Sequence, residues 1–363
     1  MDEGLQARQF TLGDLGALLA FLRRVYANDL RRSDRDFWEW HYLKNPLTDS
    51  SDLPIWIALD GKRIVGHLAA IETKIKIGEE THKTIWILDL IIDENYRRRG
   101  IAKRLVGLAE EFRPIRLGIN THEQKSPELL EARGWKIVAS IPRYTRVLFP
   151  GNAFLSGSGL KTLVRKAANA LYSLRRQAVA KTRPSNGEIG RIERFDDTAD
   201  RLWENASATR SCIAVRRSEF LNWQYFEQPN KRFEVLGYFY AEKLLGYIVL
   251  YFRAPNSHGV IEKAAISDIF FEEAPPETAD ALVNAALKLA VERRVGRVVT
   301  DVLNAQAEAV LRRQGFFRTK SPLLLMVKSD AAKGIALDAT QWFVTRGDSD
   351  TTIFEESNLD ASA

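Results

Sequence analysis

Thr84-Ile85-Trp86-Ile87-Leu88-Asp89-Leu90-Ile91-Ile92 runs through Asp93-Glu94-Asn95-Tyr96 into Arg97-Arg98-Arg99-Gly100-Ile101-Ala102. The first nine residues form the near-continuous apolar run of a strand buried on both faces. The last six open a helix that continues as Lys103-Arg104-Leu105-Val106-Gly107-Leu108-Ala109-Glu110-Glu111. A glycine turn at a helix N-terminus gathers several unpaired backbone N–H groups at one point. The helix dipole adds partial positive charge there, so a pyrophosphate is the natural guest. Gly100 lets a phosphate approach the backbone and the small Ala102 keeps the first turn clear. Arg97, Arg98, Arg99, Lys103 and Arg104 supply full charges suited to a polyanion.

This order resembles the GNAT acyltransferases, whose coenzyme A loop reads Gln/Arg-x-x-Gly-x-Gly/Ala. Arg97-x-x-Gly100-x-Ala102 fits that motif, between an apolar strand and an amphipathic helix. The following strand and helix, with Ala132-Arg133-Gly134-Trp135, are similar to the family's carboxyl-terminal half. The resemblance covers residues 8–148 and, more faintly, 190–328. It implies that Leu90, Ile91 and Ile92 offer backbone groups to the pantetheine arm of acetyl-CoA or another acyl-CoA. It also implies that Arg97, Arg98, Arg99, Gly100, Ile101, Ala102 and Lys103 hold the pyrophosphate. Acyl transfer to an amine needs a base, a polarised thioester carbonyl and an acid for the leaving thiolate. Asp89 is the first base candidate, although Asp268 fills the matching place in the second half and gives a structural carboxylate equal weight. The family often carries a tyrosine acid four residues before its Gly-aromatic pair. Leu130 stands there in this chain, so Tyr96 and His122, with Tyr144, are the substitutes.

Farther out, the chain repeats itself. Phe37-Trp38-Glu39-Trp40-His41-Tyr42-Leu43-Lys44-Asn45-Pro46 has an echo in Phe220-Leu221-Asn222-Trp223-Gln224-Tyr225-Phe226-Glu227-Gln228-Pro229. Ile64-Val65-Gly66-His67-Leu68 matches Leu244-Leu245-Gly246-Tyr247-Ile248, Leu88 to Asp93 matches Ser267 to Glu272, and Arg133-Gly134-Trp135 matches Gln314-Gly315-Phe316. The nearly constant offset reads as one duplicated fold. Each half gives consecutive strands, then strands alternating with helices, an α/β class with a mixed sheet. In the first half these are a helix over 15–26, strands over 55–59, 64–71 and 73–77, a helix over 101–111, a strand over 115–119 and a helix over 127–133. The expected organisation is a catalytic GNAT-like domain over 1–150, a linker over 151–187, a degenerate GNAT-like domain over 188–330 and a tail over 331–363. The second copy is degenerate because Glu272-Glu273-Ala274-Pro275-Pro276-Glu277 puts acids where phosphates would bind. It is expected to shape the acceptor cleft or to stiffen the first half. Trp40 and Trp223, repeated in both halves, read as core, as do Tyr42 and Tyr225.

Composition narrows the rest. The 363 residues are 45% hydrophobic and 28% charged, ordinary for a globular protein of two domains. A net charge of +6 is too thin over this length to call for a nucleic-acid partner. Cys212 is the single cysteine and there are five scattered histidines, so neither a disulfide framework nor a metal site is expected. The opening MDEGLQARQF lacks the order of a secretory signal, and a cytoplasmic location is expected. Residues 160–183 carry seven basic residues and no acidic one, with Leu160, Leu163, Val164 and Ala167 at helical spacing. Such a helix suits an anionic membrane surface, but covering one of the two domains is the favoured reading. The function expected is N-acetyl transfer to a primary amine on a small metabolite or amino sugar. The alternatives are a Fem-type aminoacyl transferase, against which the intact loop argues, and a non-catalytic coenzyme A-binding scaffold.

Overall fold

The alternating residues on either side of Asp60-Gly61 form the hairpin that their period announces, and the first sheet grows from it. The computed structural model describes residues 4–27, 29–121, 125–154, 160–176, 186–229, 233–329 and 337–349. The strands of the first half are β1 (Leu5–Gln9), β2 (Ile55–Asp60), β3 (Arg63–Ile77), β4 (Glu80–Ile92), β5 (Ile115–Thr121), β6 (Lys136–Ser140) and β7 (Arg143–Val147). Those of the second are β8 (Glu188–Arg191), β9 (Cys212–Ala214), β10 (Phe233–Tyr240), β11 (Lys243–Phe252), β12 (Lys263–Phe271), β13 (Arg297–Leu303), β14 (Phe317–Thr319), β15 (Leu323–Ser329) and β16 (Trp342–Thr345). The expected strand over 73–77 is the distal half of β3, which runs unbroken because no glycine, proline or other turn former separates Ile71 from Thr73.

The helices are α1 (Leu15–Val25), α2 (Arg35–Trp38), α3 (Ile101–Phe112), α4 (Ser126–Glu131), α5 (Pro150–Phe154) and α6 (Leu160–Arg176), then α7 (Asp197–Ser207), α8 (Ser218–Tyr225), α9 (Glu277–Glu292) and α10 (Ala305–Arg313). The apolar spacing that defines α3 puts Ile101, Leu105, Val106 and Ala109 into the core and its basic residues outside. Gly66 on β3 lets that helix settle. A Cβ there would lie 2.9 Å from the Ile92 side chain and 3.0 Å from that of Ile101.

The first sheet has the order β1-β2-β3-β4-β5-β15-β6, and the second β8-β10-β11-β12-β13-β7-β14. Each sheet therefore borrows one strand from the other half of the chain. β15 lies antiparallel between β5 and β6, from Leu323 opposite Thr121 to Ser329 opposite Ile115. β7 lies antiparallel between β13 and β14, with Arg143 opposite Asp301 and Val147 opposite Arg297. β9 and β16 bridge the two sheets, since β9 pairs with the end of β3 and β16 with the end of β13.

Between the halves, Trp40 and Trp223 stack with centroids 5.2 Å apart. Each indole N–H donates to the other tryptophan's carbonyl oxygen, at 2.9 and 2.8 Å. The repeated aromatics are core: the two tryptophans in a cluster shared by the halves, Tyr42 and Tyr225 in a separate cluster of each half.

The basic helix departs from expectation. Leu163 and Val164 on α6 are 65% and 49% exposed rather than laid on a domain. The contact with α5 is polar instead, with the Gly151 amide donating to Asn169 Oδ1 at 2.8 Å and Asn169 Nδ2 to Asn152 Oδ1 at 2.9 Å. Satisfying those part-buried amides holds this face of the helix against α5 and leaves Leu163 and Val164 outside. The rest of 160–183, from 177 on, lies outside the described residues. No helix among the described residues is long and apolar enough to cross a membrane.

Candidate active site

β4 and β5 are parallel neighbours only at Ile85–Arg116 and Trp86–Leu117. Beyond Trp86 they part, and β4 runs on to Ile92 with no partner on that side among the described residues while β5 stays paired with β15. The result is a wedge in the middle of the sheet, open at the C-terminal ends of two parallel strands, the place where α/β sheets receive ligands. Within it β4 bulges. Ala69 faces Leu88 but His67 faces Ile91, so the extra residue falls at Asp89 and Leu90, and Asp89 takes a left-handed φ of 50°. A bulge re-aims backbone amides and side chains out of the regular ladder. Leu90, Ile91 and Ile92 form the half-buried wall that follows.

The loop from β4 to α3 is anchored by Asp93. Its buried carboxylate accepts from Arg24 and Arg63, each at 3.0 Å, and from the Asn95 amide at 3.1 Å. Burial alone would push this carboxyl up, but the amide and the two guanidiniums more than offset it and hold it below the ordinary carboxylate range. Arg98 (φ 66°) and Gly100 (φ 76°) then turn the chain through the left-handed region, and Gly100 caps α3 without any side chain covering the helix end. A Cβ on Gly100 would meet nothing within 4 Å, so the space before the helix is open. Arg97, Arg98, Arg99 and Lys103 are exposed around it, Ile101 is buried beneath and Ala102 is half-buried. The expected cofactor residues are thus gathered on one helix end and one adjoining strand.

The catalytic candidates are placed differently from one another. Asp89 Oδ1 is ion-paired with the buried Arg32, and its Oδ2 accepts from the Tyr42 hydroxyl at 3.4 Å. Tyr96 lies in the loop itself, where its hydroxyl donates to Asp60 Oδ2 at 2.7 Å and the Arg99 guanidinium sits 5.0 Å from its ring centroid. The bond to Asp60 raises the phenol's pKa. His122 lies outside the described residues. Tyr144 is on β7 in the second sheet, hydrogen-bonded to Glu308. Leu130 is buried in the core beside α3, as an apolar substitute for a tyrosine should be.

Sequence reasoning missed the company Asp89 keeps. His41 and His67 are both buried close to it, and burial holds each down to about 4, with Asp89 raising and Arg32 lowering them. The His67 ring also lies against the Asp89 backbone, whose carbonyl raises it slightly. The clue lay in the repeat. Arg32 and Arg216 each precede the aromatic helix, and Gly66-His67 answers Gly246-Tyr247.

That correspondence makes the second half a built-in comparison. Asp268 also follows a register shift, between Val249 and Leu250 on the facing strand, and pairs with a buried arginine, Arg216. Here Tyr247 fills the place of His67 and donates to Asp268 Oδ2 at 2.8 Å, while Thr345 donates to Oδ1 at 2.9 Å. β12 and β13 part after Ala265–Val299 as β4 and β5 do, but the gap is filled. β16 enters it, Gly347 packs on Ser267 and Asp268, and Arg346 ion-pairs with Asp301. At the mouth, Glu272 and Glu273 are held by Asn205 and Thr209. Only the first wedge among the described residues is both open and basic.

Residues 19–123 match the sequence model of the acetyltransferase (GNAT) family. No curated protein sequence matches the chain. Among solved structures, N-myristoyltransferase of Saccharomyces cerevisiae with bound myristoyl-CoA is similar with a TM-score of 0.60 at 11% identity, covering 94% of this chain and 89% of that one. A GCN5-related N-acetyltransferase from Anabaena variabilis gives 0.59 at 12% identity over 89% of this chain and 72% of that one. A probable N-acyltransferase of Enterococcus faecalis gives 0.59 at 12%, over 90% and 72%. Residues 19–123 thus carry the sequence signature of the GNAT acetyltransferase family, and most of the chain shares its fold with the solved N-acyltransferases.

Proposed function

We propose that the protein is an acyl-coenzyme A-dependent N-acyltransferase that moves acetyl from acetyl-CoA to a primary amine on a small metabolite or amino sugar. One observation carries this reading: the only wedge among the described residues that opens onto an uncapped, arginine-rich helix N-terminus is the one between β4 and β5. In this reading the pantetheine arm lies along Leu90, Ile91 and Ile92 as a surrogate strand. The pyrophosphate sits on the first amides of α3 among Arg97, Arg98, Arg99 and Lys103. The bulge at Asp89 turns backbone N–H groups toward the thioester oxygen, where they stabilise the oxyanion formed when the amine attacks.

Asp89 takes the proton from the incoming ammonium. Its Oδ2 holds a single long hydrogen bond, whereas both oxygens of Asp268 are saturated, and that spare acceptor capacity supports a working role beyond the ion pair. Collapse of the tetrahedral adduct expels the thiolate of coenzyme A, which takes up a proton from Tyr96 or His122, directly or through water. Residues 1–150 are the catalytic unit, 151–187 the linker, 188–330 a degenerate duplicate and 331–363 the tail. The duplicate buttresses the site and does not bind a second donor.

The test mixes the protein with acetyl-CoA and a panel of primary amines and follows thiol release, with calorimetric titration of coenzyme A alongside. Turnover with at least one amine and one coenzyme A per chain are expected. Binding without thiol release for any amine would leave a coenzyme A-binding scaffold, and two sites per chain would remove the distinction between the halves.

A further inference from the structure

A second concavity lies away from the wedge, between α5, α6 and the turn after α9. Its volume is about 710 Å³. Arg165, Lys166, Arg293 and Arg294 all line it, and no acidic side chain among the described residues does. Arg293 is engaged, donating to Glu234 and lying 4.2 Å from the Phe252 ring centroid. Arg165 is not: its Nη1 is buried without a hydrogen-bond partner. The neutral groups nearby are already committed to one another, Asn169 to Asn152 and Asn152 to the Arg294 carbonyl at 2.7 Å. The cleft thus concentrates positive charge and leaves a buried guanidinium N–H that no protein acceptor satisfies, which native interiors rarely tolerate. An anion from outside relieves both at once.

From this we infer that the cleft binds a phosphate group carried on an organic body. Several donors converging from α6 and the α9 turn suit a tetrahedral oxyanion better than a planar carboxylate, and guanidinium forks bind it bidentately. The cavity is far larger than phosphate alone requires. A second depression of about 400 Å³ shares Ile261 and Arg293 with it and is walled by Phe233, Phe252 and Pro255, with Glu234 and Arg253 beside them. An apolar body would lie there, while Leu163 and Val164 stand exposed on the same helix that supplies Arg165. The phosphate can belong to a dissolved ester or to a lipid headgroup, and the two sources are separable.

Calorimetry with inorganic phosphate is run on the wild type, on Arg165→Gln, on the double variant Lys166→Gln/Arg294→Gln and on Arg97→Gln. Vesicles of phosphatidylcholine, alone or with phosphatidic acid, are tested by flotation on the same proteins. Phosphate binding weakened roughly tenfold or more by both cleft variants, and unchanged by Arg97→Gln, is expected for a dissolved ligand. Flotation with phosphatidic acid only, lost in both cleft variants, is expected for a lipid headgroup. No binding of either kind, or binding that only Arg97→Gln removes, overturns the inference. The double variant changes two exposed side chains, so its melting curve should match the wild type even if Arg165→Gln fails to fold.

Discussion

At Asp89 the chain holds a partly buried carboxylate with two hydrogen-bond donors, and at Asp268 a fully buried one with five. The same substitution should therefore do different things. Asp89→Asn is expected to lower turnover by about 10²-fold or more while coenzyme A affinity stays nearly intact. Unfolding or lost cofactor binding in that variant would make Asp89 structural. Asp268→Asn takes from the buried Arg216 one of its two carboxylates, leaving Asp348 at 2.9 Å, and is expected to cost roughly 1–3 kcal/mol in denaturant unfolding. The buried histidines set a pH signature. With both held down to about 4, the unfolded chain takes up protons at His41 and His67 that the folded one refuses, so stability falls as pH drops from about 6.5 to about 4. Each contributes on the order of 2–4 kcal/mol at the acid end. Asp348, pushed up to about 6 by burial and Asp268 against the pull of Arg216, works the other way in that window, and two histidines outweigh it. Replacing His67 with tyrosine, the residue of the other half, should flatten the fall in melting temperature between pH 6.5 and 4. An unchanged slope would mean that His67 is already protonated in the fold.

In the proposed reading, the element that governs coenzyme A binding is the N-terminus of α3. Gly100→Glu is expected to abolish coenzyme A binding, because it forces a side chain into a left-handed φ and sets a negative charge before the helix dipole. Arg97→Ala should weaken binding by about 1–3 kcal/mol, the scale of one charge-assisted hydrogen bond. Calorimetric titration reads both, and full affinity in Gly100→Glu would remove the loop from the site. The strand, loop and helix around Gly100 were legible in the sequence because their signals are local: an apolar run, a glycine turn and a helical period. The Asp89–Arg32 pair was not, since 57 residues separate its members and only their counterparts Asp268 and Arg216 in the repeat hint at it. The filling of the second wedge by β16 was equally hidden. Trp342-Phe343-Val344 announced an apolar anchor, but where such a strand docks depends on a gap that only the assembled sheet creates. The orientation of α6 was misjudged for a related reason, because periodicity names the apolar face without saying that a neighbour will prefer the polar one.

At the scale of the whole molecule the two halves are one cooperative unit. Trp40→Ala and Trp223→Ala should each cost about 3–5 kcal/mol, since each removes a fully buried indole from a stack that joins the halves. A Trp40→Ala protein with unchanged melting temperature but no activity would instead make the ring a substrate platform. Separately expressed fragments 1–185 and 186–363 are expected to remain unfolded alone and to recover structure when mixed, as circular dichroism would show, because each lacks an interior strand of its own sheet. Independent folding of either fragment would contradict that expectation. The repeat made the matching halves readable, but strand exchange leaves no mark in composition or period. It does leave a mark in time. On a ribosome β5 emerges some two hundred residues before β15, an interval of roughly 10–40 s at ordinary elongation rates. Throughout it the strand that forms one wall of the proposed acyl-CoA wedge has an open edge, exposed to pairing with any other chain. Competence to bind the donor therefore arrives only near the end of synthesis, and a translation stall anywhere before Leu323 yields a nascent chain with an unfinished wedge and a free edge.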